Sequence, residues 1–141
     1  MKILIDTNIM LDILLDREGF SCYSKKAIEK AIMRGDKLYF SSASLTDLYY
    51  LINKQTKNSK LALNAIREMS TFLNFCDVNE EIVLSATLSK INDYEDAVLD
   101  MIVANNKIDY IMTRNIVDFK NSINKIITPK DFLDSNDFLL N

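Results

Sequence analysis

The side chains of this sequence best suited to chemistry are carboxylates. The chain of 141 residues has no histidine and only two cysteines, which excludes Ser-His-Asp and Cys-His nucleophilic sites and any His-ligated zinc. Catalysis would have to come from carboxylates, lysine, hydroxyls, or a metal ion held by oxygen ligands. Four acids stand at informative places. Asp6 ends the apolar run Ile3-Leu4-Ile5, with Thr7 and Asn8 directly behind it. Asp47 closes Ser44-Leu45-Thr46-Asp47, Asp93 opens Asp93-Tyr94-Glu95-Asp96, and Asp118 lies five residues after Thr113. Asn8 and the run Thr113-Arg114-Asn115 add the polar side chains of a phosphate-handling edge.

The elements that must position these residues alternate between two periodicities. The β-branched, apolar run at 3–6 predicts a strand buried on both faces, and runs at 37–41, 74–78, 109–113 and 125–128 predict four more strands. Helical spacing predicts helices over 8–16, 21–34 (ending at Gly35), 44–53, 60–73 and 80–90. A further, largely apolar helix starts at Asp93, and a short one at Pro129, a residue suited to a first helical turn. Residues 54–60 read as a polar connection. Strands alternating with helices imply a three-layer α/β/α sandwich around a central parallel sheet of about five strands, in a single domain over 1–141. Ligands in such sheets bind beyond the carboxyl ends of the strands. Asp6, Asp47, the helix start at Asp93 and Asp118 all fall at that edge.

Each acid also has a purely structural use. Asp47 could complete a capping box with Ser44; Asp93 could cap its helix, with Asp96 favoured by the helix dipole; Asp6 could start a turn with Asn8. Capping does not require four strand-edge carboxylates to converge. Like charges in a partly desolvated cleft repel, and no basic residue faces them at an obvious position in the first, second or fourth strand. Mg²⁺ or Mn²⁺, which prefer oxygen ligands, is the natural counter-charge. Asp12, Asp16 and Asp100 are expected to be solvated or to support the ligands from behind.

The stretches IDTNIMLD (5–12), SSASLTDLYYLI (41–52), DYEDAVLDMIVA (93–104) and DYIMTRNIVDF (109–119) together resemble a PIN-domain ribonuclease, specifically the VapC-like toxin of a type II toxin–antitoxin pair. The resemblance spans nearly the whole chain in the family's order. It implies a metal-dependent endoribonuclease in which Asp6, Asp96 and Asp118 hold Mg²⁺ or Mn²⁺. Asp47 stands where the family usually has Glu, one methylene longer. Asp93 would be an extra acid, Asn8, Thr113 and Asn115 supporting residues, and Arg114 a substrate contact. Hydrolysis would leave 5′-phosphate and 3′-hydroxyl ends. The implied partners are a single-stranded or structured RNA substrate, a cognate antitoxin and a second copy in a homodimer.

A catalytically weak PIN-domain binding module is the alternative, given Asp47. A phosphotransferase of the D-x-D-x-T type fits less well because Asn8 replaces the second Asp, and a receiver domain would have only Asp77 as its acceptor. The net charge of −3 supplies no general attraction to nucleic acid. Arg17, Arg114, Lys54, Lys57 and Lys60 could form a local basic track, with Tyr49, Tyr50 or Phe119 stacking on bases. Tyr49, Tyr50 and Leu51 span about 300° of a helix, so they cannot all face one core; an exposed rim beside the acids, flanked by helices 21–34 and 44–53, would suit an antitoxin segment. No apolar run approaches the ~20 residues of a membrane span, and the N-terminus lacks the basic and apolar segments of a secretion signal. With the cysteine count, this leads to an expected cytoplasmic location and no membrane partner.

Overall fold

The computed structural model describes residues 1–135, so the last six residues of the domain expected over 1–141 lie outside the described residues. All five expected strands form: β1 (Lys2–Ile5), β2 (Lys37–Ser41), β3 (Asn74–Cys76), β4 (Tyr110–Met112) and β5 (Lys125–Ile127). They make one sheet in the order β3-β2-β1-β4-β5, with every neighbouring pair parallel. Ile3 lies opposite both Leu38 and Tyr110, which puts β1 at the centre. Its alternate side chains serve two cores. Ile3 and Ile5 pack with one layer of helices and Leu4 with the other, and none of the three is exposed.

Parallel neighbours need long crossovers, and helices supply them. α1 (Thr7–Leu14) and α2 (Ser21–Arg34) join β1 to β2, and α3 (Leu45–Thr56) and α4 (Ser59–Met69) join β2 to β3. These four, with α7 (Pro129–Asp134), bury Met10, Ile28, Leu48, Met69 and Phe132 against Ile3, Ile5 and Phe40. α5 (Glu80–Ala86) and α6 (Tyr94–Asn106) cover the opposite face, with Ile82, Leu99 and Ile102 against Leu4 and Ile111. The α/β/α sandwich is as expected, and so is the burial of α6 on several sides, which includes Val98, Leu99, Ile102 and Val103.

Two local expectations fail for identifiable reasons. The polar stretch 54–60 is mostly helical. α3 runs on to Thr56, Lys57 adopts the left-handed conformation at φ 55°, and the Asn58 side chain accepts the Leu61 N–H at 3.1 Å to start α4. Left-handed backbone at a helix end is ordinarily glycine's role, but this connection has none. The capping box at Ser44 does not form either. Residues Ser42–Ser44 make a 3-10 turn, which leaves Ser44 helical (φ −85°, ψ −9°) rather than extended, so its hydroxyl caps nothing. Asp47 therefore has no capping duty toward Ser44.

The strand order decides where a site can lie. From β1 the chain steps through β2 to the edge at β3, then returns to the other side of β1 at β4. The order reverses between β1 and β4, and a crevice opens there at their carboxyl ends.

The last helix is fixed from the side. Lys30 donates to the carbonyls of Phe132 and Ser135 at 3.0 and 3.1 Å, satisfying groups that a helix end leaves unpaired. Phe132 itself is completely buried. Phe132→Ala is expected to cost about 3–5 kcal/mol in denaturant unfolding, the range for large aromatic truncations in a core. A loss below about 1 kcal/mol would show that α7 is not docked on α2.

Candidate active site at the carboxyl edge of the sheet

Asp6 leaves β1 exactly where the sheet order reverses, and its backbone N–H extends the ladder to the Met112 carbonyl at 3.0 Å. Its carboxylate is buried, with the residue only 6% exposed. The Thr113 hydroxyl, just past β4, donates to Asp6 Oδ2 at 2.7 Å. The same Thr113 oxygen accepts the Asn115 N–H at 3.1 Å, so one buried hydroxyl fixes both Asp6 and the turn carrying Asn115. Burial pushes Asp6 up from 3.8 to about 6, against the opposing effects of the Thr113 hydrogen bond and the Thr7 backbone N–H. Glu95 adds to the rise and Arg114 opposes it.

The other acids arrive from three elements. Asp93 caps α6 by accepting the Asp96 N–H at 3.0 Å, the structural use open to it from sequence. Capping turns the first turn of α6 toward Asp6. Asp96 rises from 3.8 to about 7, chiefly through burial and then through the charges of Asp6, Asp93, Asp118 and Glu95. Acids gain only about 0.3–1 kcal/mol at a helix N-terminus, too little to offset such a rise. Asp47 enters from the first turn of α3, and Asp118 from a 3-10 turn over Ile116–Phe119; both are exposed.

An open cleft of roughly 250 Å³ brings these side chains together: Asp6, Asn8, Asp47, Asp93, Asp96, Asn115 and Asp118 all line it. Glu95 also lines it, an acid that sequence reasoning passed over. It accepts the Thr7 hydroxyl at 3.2 Å, which ties α6 to α1 across the cleft. Its place beside Asp96 in the first turn of a helix that begins at this edge was the available signal.

The donor set is entirely oxygen, as a hard divalent cation requires. Asn8 Oδ1 is buried without a hydrogen-bond partner, an acceptor still open. Among the described residues, however, no three acidic, histidine or cysteine side chains are already gathered tightly enough to enclose a metal ion. The charges of Asp6, Asp93, Asp118 and Glu95 each raise the pKa of Asp96, as like charges in one cleft do. The chemistry of the set fits a cation, and the exposed Asp47 and Asp118 are the members least confined by packing.

Several expectations about the surroundings need correction. A basic residue does stand near the acids, since Arg114 follows β4 and its charge acts on Asp6. It is held by Asp12, which is fully buried rather than solvated: Arg114 Nε lies 3.0 Å from Asp12 Oδ2, and Arg17 Nη1 lies 3.4 Å from Oδ1. The Arg114 contact is close but not aligned as a hydrogen bond, since both atoms lack a partner by angle; it is best described as an ion pair. Arg114 does not line the acidic cleft. Asp100 is likewise buried, bonded to the Ser122 hydroxyl and the Asn124 amide. Phe119 is 2% exposed and cannot stack on a base, and Tyr49 packs against the core; Tyr50 and Leu51 are the exposed pair. Leu51 lines the cleft with Asp47, whereas α2 does not border it.

The family model for the PIN domain matches residues 2–117. No curated protein matches the sequence. Among solved structures, the chain is similar to VapBC2 from Rickettsia felis bound to a DNA fragment from their promoter (TM-score 0.72, 14% identity, covering 91% of this chain and 98% of that one). It is also similar to VapBC-1 from nontypeable Haemophilus influenzae (TM-score 0.69, 17% identity, 92% and 99% covered). A third is Mycobacterium tuberculosis VapC20, a sarcin-ricin loop cleaving toxin (TM-score 0.62, 14% identity, 77% and 86% covered). At these identities the likeness is one of fold.

The electrostatics of the cleft predict an unusual pH dependence. Asp6 and Asp96 are both raised, so between about pH 4 and pH 7 the folded protein holds protons that the unfolded chain has already released. Their contribution to stability is therefore full at low pH and falls as pH rises through that window. In metal-free buffer, Asp96→Asn should match the wild-type melting temperature near pH 4 and exceed it at pH 8. A difference that stays constant with pH would show that Asp96 titrates normally.

Proposed function

The chain belongs to the PIN-domain family, and on that premise we propose that it is a metal-dependent endoribonuclease acting as a VapC-like toxin. The observation that carries this reading is the convergence of Asp6, Asp47, Asp96 and Asp118, from four separate elements, on one cleft at the sheet's switch point. A structural role for each acid alone does not account for that convergence, and for Asp47 the capping role is absent.

On this reading Asp6, Asp96 and Asp118 hold Mg²⁺ or Mn²⁺, with Asp47 completing the set at shorter reach than Glu and Asn8 offering its open oxygen. A divalent cation held there would lower the pKa of a bound water, making hydroxide available near neutral pH, and would supply a counter-charge for phosphate oxygens. The chain's own residues do the rest. Thr113 fixes the Asp6 carboxylate from behind, Asn115 borders the cleft on the β4 side, and Glu95 is held off by Thr7. The raised pKa values of Asp6 and Asp96 mark carboxylates whose charge is poorly compensated by the protein, and a bound cation would favour their ionised form.

The test combines binding and hydrolysis. Millimolar Mn²⁺ should raise the melting temperature of the wild type but not of Asp6→Asn, and only the wild type should cleave single-stranded RNA. Asp6→Asn should leave the metal-free fold as stable as before or more so; strong destabilisation would assign Asp6 a structural role. Thr113→Val should lower metal affinity or activity about 10–100-fold, the usual loss when a residue orienting a ligand is removed. Asp47→Glu should keep or raise cleavage and Asp47→Ala should lower it. Equal cleavage rates in wild type and Asp47→Ala would remove Asp47 from the site, whereas a wild type with neither cleavage nor a Mn²⁺ response would favour the reading of a binding module.

The partner proposed is an antitoxin that covers the cleft through an amphipathic segment, with a basic residue among the carboxylates. Tyr50, 60% exposed, and Leu51, 37% exposed, form the apolar border of the acids on α3. Co-expression with the product of the adjacent gene should give a complex without ribonuclease activity. Tyr50→Ser with Leu51→Ser should weaken it, and an unchanged complex would place the partner elsewhere.

A further inference from the structure

A second concavity, of roughly 280 Å³, is lined by Gly19, Phe20, Tyr23, Arg114, Pro129 and Lys130 among others. Phe20, at the start of α2, and Tyr23, one turn on, are 44% and 46% exposed. This concavity adjoins the acidic cleft through consecutive residues, since Asn115 lines one and Arg114 the other. Their Cα atoms are therefore only about 3.8 Å apart.

The charges of the two concavities are opposite. The acidic cleft has six carboxylates on its wall, and the second concavity has Arg114 and Lys130 and no acid. Arg114 is not a loose surface cation. Asp12 holds it from within, and its guanidinium lies 4.3 Å from the Phe20 ring centroid. The result is a fixed cation stacked on an aromatic ring, with a second aromatic and a second cation beside it. A basic peptide would be repelled there, and a purely apolar one would leave both cations uncompensated. A ligand with planar rings joined by anionic links satisfies both features. Bases in a duplex are stacked inside and cannot present a ring to a recess of this size, whereas an unpaired base can.

We infer that this concavity is a nucleobase subsite for single-stranded RNA, in which one base stacks on Phe20 and Tyr23 while Arg114 and Lys130 meet the phosphates flanking it. The inference rests on the nuclease reading above, since it places the substrate strand across the Arg114–Asn115 boundary between the recess and the acidic cleft. Asp12 is then a positioning residue, acting through Arg114.

The experiment measures binding of a short fluorescent single-stranded RNA by anisotropy, in low-salt buffer without divalent metal, with RNA hydrolysis in Mn²⁺ assayed in parallel. The double variant Phe20→Leu, Tyr23→Leu keeps apolar bulk and removes both π faces. It should bind about 5- to 100-fold more weakly, the value of base–aromatic stacking, while its Mn²⁺ thermal shift stays at the wild-type value. The deficit should shrink when an RNA with abasic nucleotides replaces the normal strand. Lys130→Ala should reduce the slope of log affinity against log salt by about 0.7, as loss of one phosphate contact in a single strand does. Unchanged binding by the double variant, or duplex RNA competing as well as single strands, would overturn the subsite. If the wild type hydrolyses RNA and the double variant binds it normally, only the subsite falls. If the double variant loses binding but the wild type hydrolyses nothing, the subsite stands and the nuclease reading falls.

Discussion

A carboxylate buried at the end of the central strand constrains everything around it. Asp6 has lost nearly all its water, and an isolated charge in that position is strongly disfavoured. Among the described residues, no ion pair neutralises it. The protein offers one hydroxyl from Thr113 and the polar start of α1, while the Arg114 guanidinium, whose charge acts on Asp6, is paired with Asp12. Asp96, Glu95, Asp93 and Asp118 then add charge of the same sign. Like charges gathered in this way oppose folding rather than favour it, which is why the reading proposed for the cleft gives them a compensating cation.

The topology explains how such distant residues meet. Because the strand order reverses between β1 and β4, neither loop following these strands is covered by the helix that follows the other, and the crevice between them stays open. The bridging hydrogen bond from Thr113 to Asp6 spans 107 positions in sequence and joins the two loops. α6 runs back toward β4 and therefore begins at this same edge, and its N-cap at Asp93 sets where Asp96 and Glu95 project. α3 brings Asp47 in from the β2 side. One switch point thus organises four otherwise unrelated segments.

On the reading proposed for the cleft, two kinds of counter-charge compete for the same carboxylates: a divalent cation and a basic side chain from a partner. Both act by lowering the repulsion that keeps the acids apart, so occupancy by one opposes the other. Arg114 stays outside this competition because Asp12 and Phe20 hold it in the neighbouring recess. The buried Asp12 therefore separates the cationic recess from the anionic cleft; on the readings proposed above, the recess would meet a polyanionic strand directly and the cleft would do so only through a bound cation.

By itself the sequence determined the layer architecture and the edge at which the acids lie. Hydrophobic period is a local property, so the runs 3–6, 37–41 and 125–128 announced strands, and the near-continuous apolar body after Asp93 announced a helix buried on several sides. Asp6, Asp47, Asp93 and Asp118 were legible because each stands at an element boundary, where residue type and position can be read together. Tertiary structure decided what depends on contacts between segments far apart in the chain. It placed Arg114 against Asp12 and Phe20, buried Phe119, packed Tyr49 inward while leaving Tyr50 exposed, and drew Glu95 into the cleft. It also removed the capping box at Ser44, because a 3-10 turn there changed the backbone that the box requires. Pairing, burial and desolvation are properties of the assembled fold, and no local pattern of residue types contains them.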